Sequence, residues 1–137
     1  MVNRSMPPGR VIPELPYRDV REAAAWLCRA FGFQERLRIA DHRVQITVGG
    51  DGAVVAVQQP EGGAATRAGG VMVAVADVDR HHADAVAAGA HVLGPPVSYP
   101  FGERQYSALD LAGHRWTFSQ SVADVHPADW GGDLLDA

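Results

Sequence analysis

Leu15-Pro16-Tyr17-Arg18-Asp19-Val20 and Val73-Ala74-Val75-Ala76-Asp77-Val78 are two versions of one pattern, a short alternating strand that ends at an Asp-Val pair. Each is followed by an alanine-rich helical pattern that ends at a glycine, Gly32 or Gly89, and then by further strand-like runs. Self-similarity on this scale indicates a duplicated structural unit. The duplication restricts the folds that the chain could adopt more than any single residue does.

Composition narrows the class of protein. The chain has 137 residues, 47% of them hydrophobic, and a formal net charge of −4. This length favours one domain, and the acidic balance argues against nucleic acid, whose phosphates require a basic surface. A single cysteine, Cys28, allows no internal disulfide, and no apolar run is long enough to span a bilayer. We therefore expect a cytoplasmic protein with no membrane partner.

The first predicted module covers residues 10–60. Residues 11–17 alternate as an edge strand, with Leu15 and Tyr17 on the face opposite Ile12, Glu14 and Pro16. Asp19 is the expected N-cap of a helix that Gly32 ends. Three more strands are predicted at residues 34–40, 43–48 and 53–59, which completes a β-α-β-β-β order.

The second predicted module covers residues 69–120 and repeats that order. Its helix is expected at 78–88 with Asp77 as N-cap, its strands at 70–76, 91–93, 104–110 and 115–120, and an extended segment at 97–101. Residues 61–68 are a predicted linker, residues 1–9 a loose leader and residues 121–137 a tail. The two modules are expected to form one domain over 10–120, and Trp130 in the tail is expected to cover another part of the molecule.

Two stretches near the end of the second module carry a family resemblance. They are Tyr99-Pro100-Phe101-Gly102-Glu103-Arg104-Gln105-Tyr106 and Asp110-Leu111-Ala112-Gly113-His114-Arg115-Trp116. With the two β-α-β-β-β units, they resemble the vicinal oxygen chelate superfamily of glyoxalase I, extradiol dioxygenases and bleomycin-resistance proteins. The resemblance implies an α+β fold in which two βαβββ modules form an incomplete barrel, or cup. It also implies a ligand in the cup, often beside a divalent metal, and a homodimer.

The resemblance allows the family's metal positions to be checked. Metal enzymes of the family place a histidine seven residues before each helix-opening aspartate, where this chain has Ile12 and Gly70. The glutamate seven residues after the turn's aspartate is replaced by Thr117, and the remaining carboxylate position falls on Val57, Gln58 or Gln59. None of these is a good divalent ligand. We therefore expect no metal and no cofactor; the alternative is a shifted register that brings Glu14 and one histidine into the cup.

The histidines and aromatic residues have mostly structural interpretations. His81 and His82 are predicted to be solvated on the exposed face of the second helix, and His114 to bond nearby backbone. Alternation on the last strand puts Trp116 and Phe118 in the core. Cys28 is expected to be an inert thiol.

The same alternation selects ligand-binding candidates. Four of them would line the cup: Ile12, Glu14, Met72 and Thr117. Four more would flank its mouth, where an arginine beside aromatic rings suits a planar ligand: Tyr99, Phe101, Arg104 and Tyr106. The alternative for Arg104 is an ion pair with Glu103 or Asp110 within the hairpin.

We therefore hypothesise that the chain is a binding protein. A homodimer would hold an aromatic or hydrophobic small molecule without a metal, as the bleomycin-resistance branch does, and would serve antibiotic sequestration or self-resistance. No catalytic residue is assigned. The alternative from the enzyme class is a metal-dependent glyoxalase-like lyase, isomerase or dioxygenase with an atypical site.

Overall fold

In a computed structural model, the protein is described over residues 4–59 and 70–134. The predicted linker, residues 61–68, lies outside the described residues. The chain divides into two compact units, one formed by the described part of Met1–Ala68 with Asp110–His114, the other by Gly69–Leu109 with the described part of Arg115–Ala137. Each unit contains one sheet and one α-helix, which confirms the α+β class.

The first unit has the predicted β-α-β-β-β order. Its elements are β1 (Glu14–Tyr17), α1 (Val20–Phe31), β2 (Gln34–Ile39), β3 (Arg43–Val48) and β4 (Gly52–Gln58). The sheet order is β1-β4-β3-β2; β1 runs parallel to β4, and the other pairs are antiparallel.

The second unit repeats this topology with a divided strand. It contains β5 (Gly70–Ala74), α2 (Val78–Ala87), β6 (His91–Val92), β7 (Val97–Ser98), β8 (Glu103–Leu109) and β9 (Arg115–Ser121). β5 runs parallel to β9, and β9 pairs with β8. β6 and β7 each pair with part of β8 because Pro95 and Pro96, between them, have no N–H to donate to a ladder. The tail adds a 3₁₀ turn at Pro127–Trp130.

Both helices begin at the predicted aspartate. Asp19 accepts the amide of Glu22 at 3.0 Å, and Asp77 accepts that of Arg80 at 3.1 Å. These bonds satisfy amides that the first turn of a helix leaves without an internal partner. α1 ends at Gly32, whose φ of +78° is the left-handed conformation that glycine adopts without steric cost.

The core of the second unit lies between α2 and one face of its sheet. Tyr106, Ala108, Trp116 and Phe118 alternate onto that face and are almost completely buried, which confirms the core assignment of Trp116 and Phe118. The prediction for His81 was wrong. Its ring packs 4.1 Å from that of Phe118, and its Nδ1 lies 2.5 Å from the Tyr106 hydroxyl.

The helical period explains the error on His81. It lies three residues after Val78 and four before Ala85, both fully buried, and therefore on the helix face that meets the sheet. His82 is also half-buried and packs edge-on against Tyr106 at 5.0 Å. The solvated histidine pair that the sequence suggested is thus part of the packing of α2.

A buried hydrogen-bond network orders the turn between β8 and β9. The Asp110 carboxylate accepts the Tyr17 hydroxyl at 2.6 Å and the amides of Ala112 and His114 at 2.9 and 3.0 Å. His114 Nε2 donates to the Pro16 carbonyl at 2.8 Å, which confirms the backbone role predicted for this histidine. Burial and the neighbouring Asp110 raise the pKa of Tyr17, so its hydroxyl remains a donor. The turn therefore packs with β1.

None of the described helices is long and apolar enough to cross a membrane.

Tyr17→Phe tests this network. It leaves the ring in place but removes one donor from a carboxylate that is 5% exposed. Hydrogen bonds to charged groups contribute about 1.5–3 kcal/mol, and we expect the free energy of unfolding in urea to fall by about that amount. Tyr99→Phe, at an exposed hydroxyl, is the matched control and is expected to change it by less than about 0.5 kcal/mol. Equal effects of the two substitutions would contradict the role given to Tyr17.

Candidate ligand-binding site

The face of the second sheet that points away from α2 is the first candidate surface; we refer to it as the helix-free face. Strand register brings Met72, Thr117 and Ser107 side by side across β5, β9 and β8. Their neighbours along the strands, Trp116 and Phe118, point to the buried side. Met72 is 65% exposed, so this row offers an apolar side chain beside two hydroxyls.

Hydrogen bonds join the polar side chains of this face into two short chains. Ser107 Oγ and Thr117 Oγ1 lie 2.8 Å apart, and Arg115 Nη2 lies 3.5 Å from Ser107. In the second chain, Gln105 donates to Ser119 at 3.0 Å and Ser119 donates to Glu103 at 2.6 Å. A hydroxyl pair that shares one hydrogen bond retains a further donor and several acceptor positions. The face can therefore bond the heteroatoms of a ligand lying across it.

Glu103 is a carboxylate on this face that the sequence analysis did not select. Hydrogen bonds from Ser119 and Ser121 lower the pKa of Glu103 because they favour its charged form. A carboxylate held in this state accepts hydrogen bonds and is a poor proton donor. Its chemistry suits ligand binding better than acid catalysis.

Beside Glu103 lies an open groove with an aromatic wall. The groove has a volume of about 450 Å³ and is lined by Phe101, Glu103, Ser121, Ala123, Asp124 and Val125. Tyr99 stacks on Phe101 with ring planes 3° apart, and Trp130 meets Phe101 edge-on at 5.8 Å. All three rings remain partly exposed. The tail thus brings Trp130 to the two aromatic residues predicted at the mouth of the site.

Arg104 and Tyr106, the other two predicted mouth residues, lie on the opposite side of β8. Tyr106 is 3% exposed and its hydroxyl meets His81, so it belongs to the α2 packing. Arg104 bonds Asp79 of α2 through Nε and Nη2, with the shortest distance 2.9 Å, and also donates to Ser98. The hydrogen bonds from Arg104 lower the pKa of Asp79. The pairing weighed in the sequence analysis therefore exists, but with a helix residue as partner instead of Glu103 or Asp110.

Two predicted lining residues belong to the first unit. Glu14 pairs in register with Val55, on the face opposite Leu15 and Tyr17, and its carboxylate lies 2.9 Å from Arg43 Nη2. Ile12 precedes β1 and is half-buried. Cys28 is half-buried as well, and burial raises the pKa of its thiol, so it is a poor nucleophile.

The positions that carry metal ligands in the family's metal enzymes do not fit a metal here. A Cβ at Gly70 would lie 2.7 Å from the Arg115 carbonyl oxygen, so the backbone at this position leaves no room for a histidine. Thr117 is engaged with Ser107. Within residues 4–59 and 70–134, no three His, Cys, Asp or Glu side chains lie close enough together to hold a metal ion.

Three polar residues of the helix-free face were not selected from the sequence, and all three lie on β8. Glu103, Gln105 and Ser107 alternate with Arg104, Tyr106 and Ala108 along β8. Their period of two was visible in the sequence, but it does not by itself show which face meets the helix. The burial of Tyr106 and Ala108 decides this.

Two βαβββ units with an aspartate-capped turn after β8 define the class of protein. The profile of the Glyoxalase/Bleomycin resistance protein/Dioxygenase superfamily matches residues 10–118. The chain belongs to this superfamily, as its resemblance to vicinal oxygen chelate proteins implied.

Solved structures agree with this assignment. TioX from Micromonospora sp. ML1 is 37% identical, with a TM-score of 0.69 over 81% of this chain and 97% of that one. A glyoxalase/bleomycin resistance protein/dioxygenase family enzyme from Burkholderia phytofirmans PsJN is 18% identical, with a TM-score of 0.68 over 80% of this chain and 96% of that one. At this identity the second similarity shows the fold alone. A comparison with curated proteins gives no match.

Gly70→His tests whether the family's histidine position is closed. We expect the free energy of unfolding to fall by about 1–3 kcal/mol because the new side chain meets the Arg115 carbonyl. Met72→His, on the same strand and face, has room and is expected to cost less than about 1 kcal/mol. If Gly70→His is as stable as Met72→His and binds Zn²⁺ stoichiometrically in calorimetry, the position is open after all.

Gly102→Ala tests how the tail is held. Gly102 has a φ of +88°, its Cβ would lie 2.0 Å from the Ala123 carbonyl oxygen, and its own carbonyl accepts the amides of Val122 and Ala123. We expect a loss of about 2 kcal/mol or more, with faster hydrogen exchange at those two amides. Gly94→Ala, with nothing within 4 Å of its Cβ, is the control. Unchanged exchange in Gly102→Ala would show that the tail does not depend on this contact.

Proposed function

We propose that the protein binds an aromatic or hydrophobic small molecule without a metal, as a homodimer in the cytoplasm. Binding would sequester the ligand, and an antibiotic against which the cell protects itself is the class we favour. The observation that carries this proposal is the helix-free face of the second sheet. It presents Met72 beside the Ser107–Thr117 hydroxyl pair, and Thr117 stands where the family resemblance implies a glutamate ligand in metal enzymes.

Three features support binding over catalysis. The hydroxyls and amide of this face are hydrogen-bonded to one another, and Glu103 is held in its charged form by two serines. Neither arrangement supplies a group poised to exchange a proton near neutral pH. The exposed rings of Tyr99, Phe101 and Trp130 beside the groove offer flat apolar surface, which suits recognition of a planar molecule.

The site favours a ligand with an apolar body and a few heteroatoms. The rings of the ligand would lie against Met72 or against Tyr99, Phe101 and Trp130. The carbonyl, hydroxyl or ring nitrogen atoms of the ligand would bond Thr117 and Ser107. The superfamily's description includes bleomycin-resistance proteins. The resemblance to that branch implies a flat drug held by a dimer, and we extend this mode of binding to the chain.

Thermal unfolding with a panel of planar antibiotics tests the proposal. A ligand present at 100 times its Kd is expected to stabilise the fold by about 2.7 kcal/mol, which raises Tm by several degrees. Thr117→Val, which keeps the shape and removes the hydroxyl, should weaken the Kd by about 2- to 10-fold.

Two further results decide between the hypotheses. Chelator treatment should leave both Tm and ligand affinity unchanged, and light scattering should give the mass of a dimer. Stoichiometric metal in protein purified without chelator, lost together with ligand binding when chelator is added, would favour the metal-dependent enzyme instead. No Tm shift with any planar antibiotic would reject sequestration.

A further inference from the structure

The N-terminal segment Arg4–Gly9, expected to be a loose leader, is bound to the first sheet. We call it the N-terminal strap. The Gln45 side chain donates to the Ser5 carbonyl at 2.8 Å, and Arg36 Nη2 donates to the Arg4 carbonyl at 3.0 Å. Pro7 is buried. The strap therefore packs against side chains of β2 and β3.

The strap lies on the side of the first sheet where a ligand is expected. Gln45 is in register with Val55, which is in register with Glu14, so the three side chains share one face. Their neighbours Val44, Ile46 and Leu15 belong to the other face. Glu14 was selected from the sequence as a lining residue, and the strap covers the same face.

The Gln45 side chain, which binds the strap, is buried and hydrogen-bonded through both its nitrogen and its oxygen. It is only 5% exposed, and a buried amide is costly unless its atoms are hydrogen-bonded. Its nitrogen donates to Ser5 and its oxygen accepts from Arg36 Nη1. The strap's carbonyl thus fills an acceptor position that this face would otherwise leave to water or to a ligand.

The Arg36 guanidinium could bind a carboxylate more strongly than it binds its present partners. In the part of the chain that the structure describes, its guanidinium bonds two neutral oxygens, those of Gln45 and Arg4. Arg21, Arg38, Arg43 and Arg104 instead pair with carboxylates. A carboxylate brings an opposite charge and can accept two N–H groups of one guanidinium in parallel, which a carbonyl oxygen cannot do. A ligand carboxylate would therefore compete well with the carbonyl of Arg4.

We propose that Arg36 and Gln45 form a binding site for an apolar carboxylate, and that the N-terminal strap is the plug that such a ligand displaces. The carboxylate would take the places of the Arg4 and Ser5 carbonyl oxygens, and the apolar body would occupy the space that the strap leaves. The strap pairs with no strand, so displacing it breaks no sheet ladder. The inference rests on the proposed function only in taking the ligand to be a small organic molecule, since Arg36 and Gln45 lie in the other unit from Thr117.

The test measures two matched probes, 2-naphthoate and its neutral analogue 2-naphthamide, by isothermal titration calorimetry. Deleting residues 1–8 is expected to tighten naphthoate binding about tenfold and naphthamide binding much less, because only naphthoate gains a charged partner in Arg36. Deleting residues 1–3 alone keeps the two carbonyl groups that Arg36 and Gln45 bind and should change neither affinity. In the chain lacking residues 1–8, Arg36→Gln should remove the preference for naphthoate.

A second variant keeps every residue of the chain. Gly9 has a φ of +108° beside the turn after β3, and Gly9→Val is strained there, which should loosen the strap and tighten naphthoate binding in the same direction. Equal naphthoate affinity in the full-length chain, the deletion and Gly9→Val would overturn the proposal. Equal gains for both probes would also overturn it, since the strap would then only cover apolar surface.

The outcome is separable from that of the proposed function. Thr117→Val should leave the naphthoate gain intact, because the Thr117 hydroxyl lies beside Ser107 on the helix-free face of the second sheet. A gain with naphthoate and no Tm shift with any antibiotic would support this inference while rejecting sequestration. A Tm shift with an antibiotic, without tighter naphthoate binding after the deletion, would support sequestration and reject this inference.

Discussion

The buried carboxylate of Asp110 is the group on which the order of the last hairpin turn depends. A buried charge is costly unless it is fully hydrogen-bonded, and here one oxygen accepts two amides of the turn while the other accepts the Tyr17 hydroxyl. The Asp110 side chain therefore fixes the conformation of its own turn and attaches it to β1. His114 strengthens the same attachment through Pro16, and its ring meets that of Tyr17 edge-on at 5.0 Å.

Local features of the fold were predictable because their causes are local. Asp19 and Asp77 cap helices with amides three residues away, Gly32 ends α1 through its own φ, and alternation placed Trp116 and Phe118 in the core. The partner of Asp110 was not predictable, since Tyr17 is 93 residues away in sequence and only tertiary packing brings it there. The strap was missed for the same reason: Arg36 and Gln45 bind backbone carbonyls, which every residue carries, so no sequence pattern marks their targets.

Part of the candidate site was likewise predictable. Met72 and Thr117 followed from strand alternation, and Tyr99 and Phe101 do lie together as an exposed stacked pair. Arg104 and Tyr106 were harder because β8 offers suitable side chains on both of its faces. The face that meets α2 carries Tyr106 and also packs against His81, and a histidine in a charged helix resembles a solvated residue until its contacts are known.

The two copies of the module have kept one face and diverged on the other. The faces that carry the core are both apolar, because loss of packing there costs stability in either copy. The opposite faces have no such common requirement: one carries Gln45, which binds the strap, and the Glu14–Arg43 pair, and the other carries the chains around Ser107 and Ser119. A site built on one copy can therefore change without affecting the folding of the other. The two units of this chain therefore present chemically different surfaces, one with a guanidinium and a buried amide at Arg36 and Gln45, the other with hydroxyls at Ser107 and Thr117.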